Sequence, residues 1–490
     1  MSNPPDLAKN ISAPEPTEQS KLRKIVAASM AGTVVEWYEF FVYGTAVALG
    51  VFSVVFFPGE TAKTGLIYGF STYAIGFIAR PLGGLVFGHF GDKIGRKKLL
   101  QLSIFIVGIA TFLMGCIPAY GDATLGSGFS LDPAGAGIGI GAPVLLIILR
   151  FIQGFAVGGE WGGAVLLISE HAPKEKRAFY GSFPQVGVPL GNLVATVVML
   201  VLYSTMDTTD FNHWGWRIAF WLSAVIVFIG WYIRRSVEDA PIFKQASERE
   251  AEIVSNRPAF IDVFRHYPRE ILVSMMCRAG ENVLYYTVVT FSITYLSGVG
   301  IKPVPILTFM LIAHFLEIFW IPYVAAWADK IGRRPIYLAG ALGMVAYAWV
   351  GFLLFDGSRN GGSPLFFTLG LVLGVFIHGL MYAVQPALMS EMFPTKIRYT
   401  AVSIGSQLTS VVSGSIAPLI GVALLGNVAA KGTAVGDITS ANSTWGSVSI
   451  YIAAMGLVSV VGTLLYKETK GKDLAEVDAA DPRLREAGVR

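Results

Sequence analysis

Long apolar runs dominate the hydrophobic pattern of this chain, and short polar segments separate them. A helix needs about 20 apolar residues to cross a hydrocarbon layer of about 30 Å. Each run is long enough to predict a membrane-spanning helix. The runs, numbered here as spans 1 to 12, are 25–50, 65–88, 99–118, 142–169, 180–204, 216–233, 270–297, 304–327, 336–355, 364–391, 400–426 and 446–466.

The polar segments divide the chain and predict its orientation. A charged loop at 234–269 separates a first half, 25–233, from a second half, 270–466, and polar tails occupy 1–24 and 467–490. If the N-terminus lies in the cytoplasm, the cytoplasmic segments hold 29 of the 37 Lys and Arg residues. Basic residues are retained on the cytoplasmic side of membranes. The pattern therefore predicts a multi-pass protein with both termini in the cytoplasm.

Two motifs recur at about half the chain length, which indicates a duplicated unit. Asp92-Lys-Ile-Gly-Arg96, after span 2, returns 237 residues later as Asp329-Lys-Ile-Gly-Arg333 after span 8. An acidic residue, a proline and an arginine recur with identical spacing after spans 4 and 10, as Glu170-x-x-Pro-x-x-x-Arg177 and Glu391-x-x-Pro-x-x-x-Arg398. Parallel repeats of this kind place a substrate site between the halves, near the middle of the bilayer.

The charged residues of these motifs suggest an inner gate. An acidic residue at the end of one helix can face a neighbouring helix end and the arginine of the next loop, and such pairs break when a transporter opens. The alternative is that the basic loops only fix the topology. The predicted gate residues are Asp92, Arg96, Glu170, Arg177, Asp329, Arg333, Glu391 and Arg398.

Composition excludes several classes of protein. Of the 490 residues 53% are apolar and 14% are charged, whereas soluble proteins carry about a quarter charged residues. The net charge of +4 is spread over many short loops, so no nucleic-acid partner is expected. Cys116 and Cys277 both lie in apolar runs and predict buried thiols, without disulfide or metal. No phosphate-binding Gly-x-x-x-x-Gly-Lys-Ser/Thr loop and no nucleophilic set is present, so neither an enzyme nor a cofactor is predicted.

Several ionisable residues lie inside the apolar runs, where charge is costly and usually functional. At about 1.5 Å per residue, six of them lie roughly 14–18 Å above the inner helix ends, near the midplane. Glu317 follows Arg80 by 237 residues, the repeat offset, so the two could pair in one conformation. The six are Glu36, Arg80, Glu160, Arg278, Glu281 and Glu317, with Arg150 nearer the outer face.

These residues predict a site for an organic anion and a proton. Guanidinium groups bind carboxylates bidentately, and a carboxylate in an apolar environment favours its protonated form. The arginines could instead anchor helix packing, glycine-flanked Glu160 could be structural, and His89, His314 and His378 are interpreted as structural. The candidate substrate residues are Arg80, Arg150, Arg278, Tyr38 and Tyr285, and the candidate proton carriers are Glu36, Glu39, Glu160, Glu281 and Glu317.

The motifs together resemble the major facilitator superfamily, and within it the metabolite:proton symporter family, closest to its shikimate-transporter branch. The resemblance covers nearly the whole chain, although Glu39 replaces the usual Asp and Ala325 the usual Gly. It rests on Gly88-x-x-x-Asp92-Lys-x-Gly-Arg-Lys97, Glu36-Trp-Tyr-Glu-Phe40, Arg80-Pro-Leu-Gly-Gly84, Arg150-Phe-Ile-Gln-Gly154 continuing to Gly163, and Trp214-Gly-Trp-Arg217.

The resemblance implies an all-α membrane protein with twelve helices in two pseudo-symmetric six-helix bundles. It also implies a proton-coupled symporter of a small organic acid in the bacterial inner membrane, working by alternating access. A monomer is expected. A carrier of a zwitterionic osmolyte such as betaine or proline, or a membrane sensor without transport, are the alternatives. The short C-terminal tail disfavours the osmolyte carrier, and the absence of a large output domain disfavours the sensor.

Overall fold

A computed structural model describes residues 18–94, 96–121, 137–158, 168, 172–238, 259–359, 362–425 and 445–479. Within these residues every predicted span of the first half contains helix. A short helix, Val51–Phe56, follows span 1, and a π-helical turn, Phe211–Gly215, interrupts span 6. Spans 1 to 6 are Glu18–Ala48; Ala62–Ile94; Arg96–Gly115; Gly141–Val157; Arg177–Thr205; and Thr208–Asp210 with Trp216–Trp221 and Ser223–Glu238.

The second half repeats this arrangement. π-Helical turns, Thr287–Phe291 and Ser410–Gly414, interrupt spans 7 and 11. Short helices, Ala259–His266 and Leu474–Ala479, lie before span 7 and after span 12. Spans 7 to 12 are Pro268–Tyr286 with Ser292–Gly298; Pro303–Ile331; Arg333–Asp356; Pro364–Tyr382 with Gln385–Ser390; Thr395–Thr409 with Ala417–Leu424; and Gly446–Leu465.

The helices confirm the predicted all-α membrane architecture. Among the described residues, seven helical stretches are long and apolar enough to cross a membrane, and Leu102–Gly115 and Gly141–Val157 are shorter apolar helices. Several helices extend beyond the apolar runs, because the runs mark only the part that matches hydrocarbon. Span 2, for example, continues to Ile94, and span 3 begins at Arg96. The helix Ala259–His266 inside the central loop was not predicted, because it is short and partly charged.

Glycines bring spans 2 and 4 into direct backbone contact. A Cβ atom on Gly83 would lie 1.8 Å from the Phe155 carbonyl oxygen, and one on Gly158 would lie 1.9 Å from the carbonyl oxygen of Arg80. Only glycine permits this approach of two helix backbones. The close packing predicted from the glycines around position 158 is therefore present where the structure describes it. It holds Arg80 and Arg150 on adjacent, rigid helices.

The two halves touch at three levels along the bundle. We name the end that carries residues 329–334 the hairpin end. At the opposite end, the Thr294 hydroxyl donates to the Ala48 carbonyl at 3.0 Å. In the middle, the rings of Phe77 and Tyr286 pack edge to face with centroids 5.5 Å apart. At the hairpin end, an ion pair joins Arg177 of span 5 to Glu391 of the second half. The halves therefore touch at both ends of the bundle and in its middle.

Candidate substrate and proton site

A small cleft lies inside the first half, between spans 1, 2, 3 and 4. About 230 Å³ of space not filled by atoms, part of it open to solvent, lies among its lining residues. Its charged lining residues are Glu36, Arg80 and Arg150, which the sequence had named as candidates. The complete lining is Glu36, Phe40, Gly76, Arg80, Val107, Arg150, Gln153, Gly154 and Val157.

Both arginines of the cleft lie on the face of one phenylalanine ring. The guanidinium carbon Cζ of Arg80 is 4.9 Å from the centroid of Phe40, and that of Arg150 is 4.8 Å from it. Arg150 also lies 4.2 Å from the centroid of Tyr43. Cation–π contacts of this kind hold a guanidinium without using its N–H groups. Arg150 thus reaches the same cleft as Arg80, although its position along span 4 suggested a higher level.

Each guanidinium retains an unused donor. Arg150 donates to the side-chain oxygen of Gln153, whose Nε2 in turn donates to the Thr111 hydroxyl at 2.6 Å. The Nε atoms of Arg80 and Arg150 are buried and have no hydrogen-bond partner among the residues that the structure describes. A buried donor without an acceptor is costly. An anion in the cleft would supply the missing acceptors.

Two carboxylates of span 1 occupy different environments. Glu36 lines the cleft with the two arginines. Glu39 is 1% exposed, and neither of its carboxyl oxygens has a hydrogen-bond partner among the described residues. An ionised carboxylate without partners is strongly disfavoured in an apolar interior. Glu39 is therefore suited to carry a proton in this conformation, whereas Glu36 can balance the charge of an arginine.

A second polar cluster lies inside the second half and joins spans 7, 8 and 10. Glu317 lies 3.1 Å from Nδ1 of His314 and 2.8 Å from Nδ1 of His378. Nε2 of His378 lies 2.9 Å from Glu281, which accepts a bond of 2.7 Å from Gln385. All five side chains are buried.

This cluster brings together predicted and unpredicted residues. Glu281 and Glu317 were predicted proton carriers, but His314 and His378 had been interpreted as structural, and Gln385 was missed. The i, i+3 spacing of His314 and Glu317 places them on one helix face, which is a signal that the sequence contained. In this conformation Glu317 is engaged by the two histidines rather than by Arg80.

The remaining predicted substrate residues lie in different places. The Tyr38 hydroxyl donates to the Ala219 carbonyl at 2.8 Å, so it is bonded to span 6 and does not line the cleft. Tyr285 stacks on His378 with ring centroids 4.3 Å apart, and its hydroxyl is buried. Arg278 donates to Gln385 at 2.6 Å, so it belongs to the second-half cluster.

The predicted gate residues of the second half form an ion-pair network at the hairpin end. Glu391 lies 3.0 Å from Arg177 of the first half and 3.2 Å from Arg333, which also pairs with Asp329 at 2.9 Å. Asp329 accepts bonds of 3.1 Å and 2.9 Å from the backbone N–H groups of Ala178 and Phe179, at the start of span 5. The acidic hairpin residue thus faces a neighbouring helix end, as the motif predicts.

The segment after span 12 completes this network. The Thr469 hydroxyl donates to Glu391, and the backbone oxygen of Lys472 accepts a bond of 3.2 Å from Arg177. Arg398 donates to the Phe393 carbonyl at 2.9 Å and lies 3.9 Å from Asp478. The side chains of Asp92, Arg96, Glu160 and Glu170, all predicted site residues, lie outside the described residues.

Comparison with known proteins identifies the family of this architecture. The family model of the Major Facilitator Superfamily matches residues 30–418 and 307–486. The chain belongs to the major facilitator superfamily. It is therefore a multi-pass, all-helical membrane transporter with the fold of this superfamily, as the motifs predicted, and not an enzyme. Among the described residues, no group of three or more His, Cys, Asp or Glu could hold a metal ion, and Cys116 and Cys277 are unpaired thiols.

Individual relatives cover nearly the whole chain. The shikimate transporter of Escherichia coli is 37% identical over 92% of this chain and 96% of its own length. An inner membrane metabolite transport protein of E. coli is 34% identical over 94% and 97%, and the E. coli proline/betaine transporter is 34% identical over 81% and 77%. The solved D-xylose–proton symporter is 18% identical, with a TM-score of 0.68 over 92% of this chain and 99% of its own, which supports the fold alone.

Proposed function

We propose that this superfamily member is a metabolite transporter that imports a small organic acid together with protons by alternating access. Its substrate is a monocarboxylate of the shikimate type. The observation that carries the proposal is the cleft in which Arg80 and Arg150 share the face of Phe40 and keep buried Nε donors without partners. The names of the relatives in the shikimate and metabolite transport group support this substrate class.

The charges that line the cleft favour a monoanion. Two guanidinium groups and the Glu36 carboxylate leave one net positive charge among the residues of the lining. A single carboxylate would neutralise that charge and accept bonds from the arginine N–H groups. The ring hydroxyls of a shikimate-type substrate could be bound by polar groups such as the side-chain amide of Gln153.

The osmolyte alternative fits the cleft less well. A relative that transports proline and betaine makes it worth testing. Betaine carries a quaternary ammonium group, which proteins bind on the faces of aromatic rings. The face of Phe40, which lines the cleft, already carries both arginine side chains, and the face of Tyr43 carries Arg150. A second cation would lie beside two guanidinium groups and be repelled.

Alternating access requires two halves and two gates. In our proposal the halves are residues 25–233 and 270–466, the hairpin end faces the cytoplasm of a bacterial inner membrane, and both termini lie there. The Glu391–Arg177 pair closes the cytoplasmic gate. The Thr294–Ala48 contact closes the outer one. A monomer suffices, because one chain supplies both halves.

Transport in proteoliposomes tests the proposal. Labelled shikimate should accumulate when the lumen is made more alkaline than the medium, and a protonophore should abolish the accumulation. Excess unlabelled shikimate, aromatic acids, keto acids and betaine should be compared as competitors. Competition by betaine but not by organic acids would favour the osmolyte carrier, and uptake indifferent to the pH gradient would contradict proton coupling.

Variants test the cleft as the substrate site. Arg80→Ala removes one of the two guanidinium groups, and Glu36→Gln removes the charge that balances it. Both should reduce coupled uptake of shikimate relative to wild type. Lys174→Gln, a charge change at an exposed position, is the matched control. Wild-type uptake by both cleft variants would place the substrate elsewhere.

A further inference from the structure

One histidine bridges two carboxylates from different helices in the second half. Nδ1 of His378 lies 2.8 Å from Glu317, and its Nε2 lies 2.9 Å from Glu281. The side chains of His378, Glu281 and Glu317 are exposed by 1%, 3% and 0%. The bridge therefore connects spans 7, 8 and 10 in an interior that is shielded from water.

The two contacts require a proton. An ionised carboxylate only accepts hydrogen bonds, and a neutral imidazole carries a single N–H. A neutral histidine between two ionised glutamates could therefore make only one of the two bonds. The second bond needs one more proton, either on the imidazole or on one carboxyl group. The geometry therefore implies that the bridge binds one proton.

The charges of Arg278, His378, Glu281 and Glu317 balance when this proton is bound. Arg278 donates a hydrogen bond to Gln385, which in turn donates to Glu281, so the arginine belongs to the same cluster. One arginine and one imidazolium offset the two carboxylates, and buried charges are tolerated when they are paired in this way. Without the proton the cluster carries a net negative charge.

Other titratable side chains surround the bridge on spans 7 to 10. The second imidazole, His314, contacts Glu317 through Nδ1, and its buried Nε2 has no hydrogen-bond partner among the described residues. The phenol of Tyr337 accepts a bond from Gln385 at 3.2 Å. The titratable and charged groups are Arg278, Glu281 and Tyr285 of span 7, His314 and Glu317 of span 8, Tyr337 of span 9 and Tyr382 of span 10.

The bridge is linked directly to the interface between the halves. The rings of Tyr285 and Tyr382 stack on His378 with centroids 4.3 Å and 4.8 Å away. Tyr285 also packs against Phe41 of span 1 at 6.0 Å, and the Tyr382 carbonyl accepts a bond of 3.2 Å from Gln185 of span 5. Separation of the halves would break both cross-interface contacts of the tyrosines that stack on His378.

We propose that His378, held between Glu281 and Glu317, is the binding site of the transported proton. This inference rests on the proposed proton-coupled transport and places the proton in the second half, whereas the substrate binds in the first. A proton from the outer medium converts the neutral imidazole to imidazolium and closes both hydrogen bonds. When the halves separate at the hairpin end, the imidazolium N–H bond breaks and the proton passes to cytoplasmic water.

The variant Glu281→Gln removes the need for the bound proton and keeps the hydrogen bonds that hold the cluster together. The amide can donate to Nε2 of a neutral His378, whose Nδ1–H still donates to Glu317, and the amide oxygen still accepts from Gln385. Every hydrogen bond is then satisfied without the extra proton. His378→Gln removes the imidazole itself. His213→Gln, the same exchange at a histidine in the π-helical turn that interrupts span 6, is the matched control.

The experiment measures accumulation of labelled shikimate in proteoliposomes with the lumen one pH unit more alkaline. One proton per monoanion predicts about tenfold accumulation for wild type and His213→Gln. Glu281→Gln and His378→Gln should reach a ratio of about one. Tenfold accumulation by both variants would overturn the inference and leave the proposed function intact. A wild type that does not respond to the gradient would instead overturn the proposed function.

Nitrogen NMR of protein labelled with ¹⁵N-histidine measures the protonation state of His378 directly and requires no substrate. The His378 signals are assigned by their loss in His378→Gln. Both ring nitrogens should be protonated in wild type at neutral pH, and only one in Glu281→Gln. A neutral His378 in the wild-type protein would overturn the inference even if transport is proton-coupled.

Discussion

The carboxylate of Glu391 in span 10 lies 3.0 Å from the guanidinium of Arg177 at the start of span 5. The two side chains belong to different halves, and their exposed fractions are 0% and 5%. Two buried charges are tolerated while they are paired, but removal of one partner leaves an uncompensated buried charge and strongly destabilises the closed arrangement. The pair is therefore a strong constraint on separation of the halves at the hairpin end.

Glu391→Gln should favour the state that is open at the hairpin end. The amide keeps the shape of the side chain but loses the charge that faces Arg177 and Arg333. A hydrogen bond to a charged group contributes about 1.5–3 kcal/mol, so the ratio of closed to open molecules should fall roughly 10- to 150-fold. Amide hydrogen exchange at Ala178 and Phe179, which donate to Asp329 across the interface, reports this opening.

A control separates opening from a general change of charge. Glu175→Gln alters an exposed carboxylate on the same segment as Arg177 and should leave the exchange of Ala178 and Phe179 at the wild-type rate. Equal exchange in Glu391→Gln and wild type would show that the pair does not hold the gate.

Gly76→Ala should weaken substrate binding by displacing Arg150. A Cβ atom at position 76 would lie 2.6 Å from Nε of Arg150 and 2.9 Å from its Cζ, so the guanidinium must move. If the displaced guanidinium loses one charged hydrogen bond to the substrate, the cost is about 1.5–3 kcal/mol, which corresponds to roughly a 10- to 150-fold loss of affinity. Binding of shikimate measured by calorimetry checks the prediction. Gly446→Ala, where nothing lies within 4 Å of the added atom, is the control, and unchanged affinity in Gly76→Ala would exclude Arg150 from the site.

The architecture could be predicted from the sequence because it depends on long-range repetition. Twelve apolar runs predict helices wherever hydrocarbon must be matched, and the 237-residue offset between Asp92 and Asp329 indicates two halves. Helix limits were less accurate. Span 2 continues to Ile94, because a helix can extend into water after its apolar run has ended.

The residues of the candidate site could be predicted from their types, but which of them contact one another could not. Depth along a helix places Arg80, Glu281 and Glu317 at one level, yet it does not show which of them meet. Glu317 contacts His378, which is 61 residues away in sequence. Arg150 reaches Phe40 because a long side chain covers several ångströms along a helix. Such contacts follow from helix packing, which the spacing of residues in one chain does not encode.

A disulfide between positions 48 and 294 should stop transport. The Thr294 hydroxyl donates to the Ala48 carbonyl across the interface at the end opposite the hairpins. Ala48→Cys with Thr294→Cys, in a background of Cys116→Ser and Cys277→Ser, should cross-link under mild oxidation. Because this end must open to admit substrate, uptake should be lost on oxidation and restored by reductant. Each single cysteine variant is a control, and full uptake by the cross-linked protein would show that this contact does not close the outer gate.

Protonation of Glu468 in acid should make the hairpin end less stable. Burial raises the pKa of this carboxyl group, but the backbone N–H groups of Arg334, Arg333, Lys470 and Thr469 together lower it more, so the pKa lies below its ordinary value of 4.5. The ionised form accepts the N–H groups at the start of span 9, where the helix dipole also favours a negative charge.

Because the pKa of Glu468 is lower in the folded protein than in the unfolded chain, its contribution to stability is complete above about pH 4.5. The contribution is lost as the pH falls through the folded-state value. Since the side chain is partly exposed, the contribution should lie near the lower end of the range for helix caps, about 0.5–1 kcal/mol. Thermal unfolding of wild type and Glu468→Gln should differ at neutral pH and converge in acid. Glu476→Gln, at an exposed position on the following helix, should behave as wild type, whereas a difference between Glu468→Gln and wild type that persists in acid would refute the capping role.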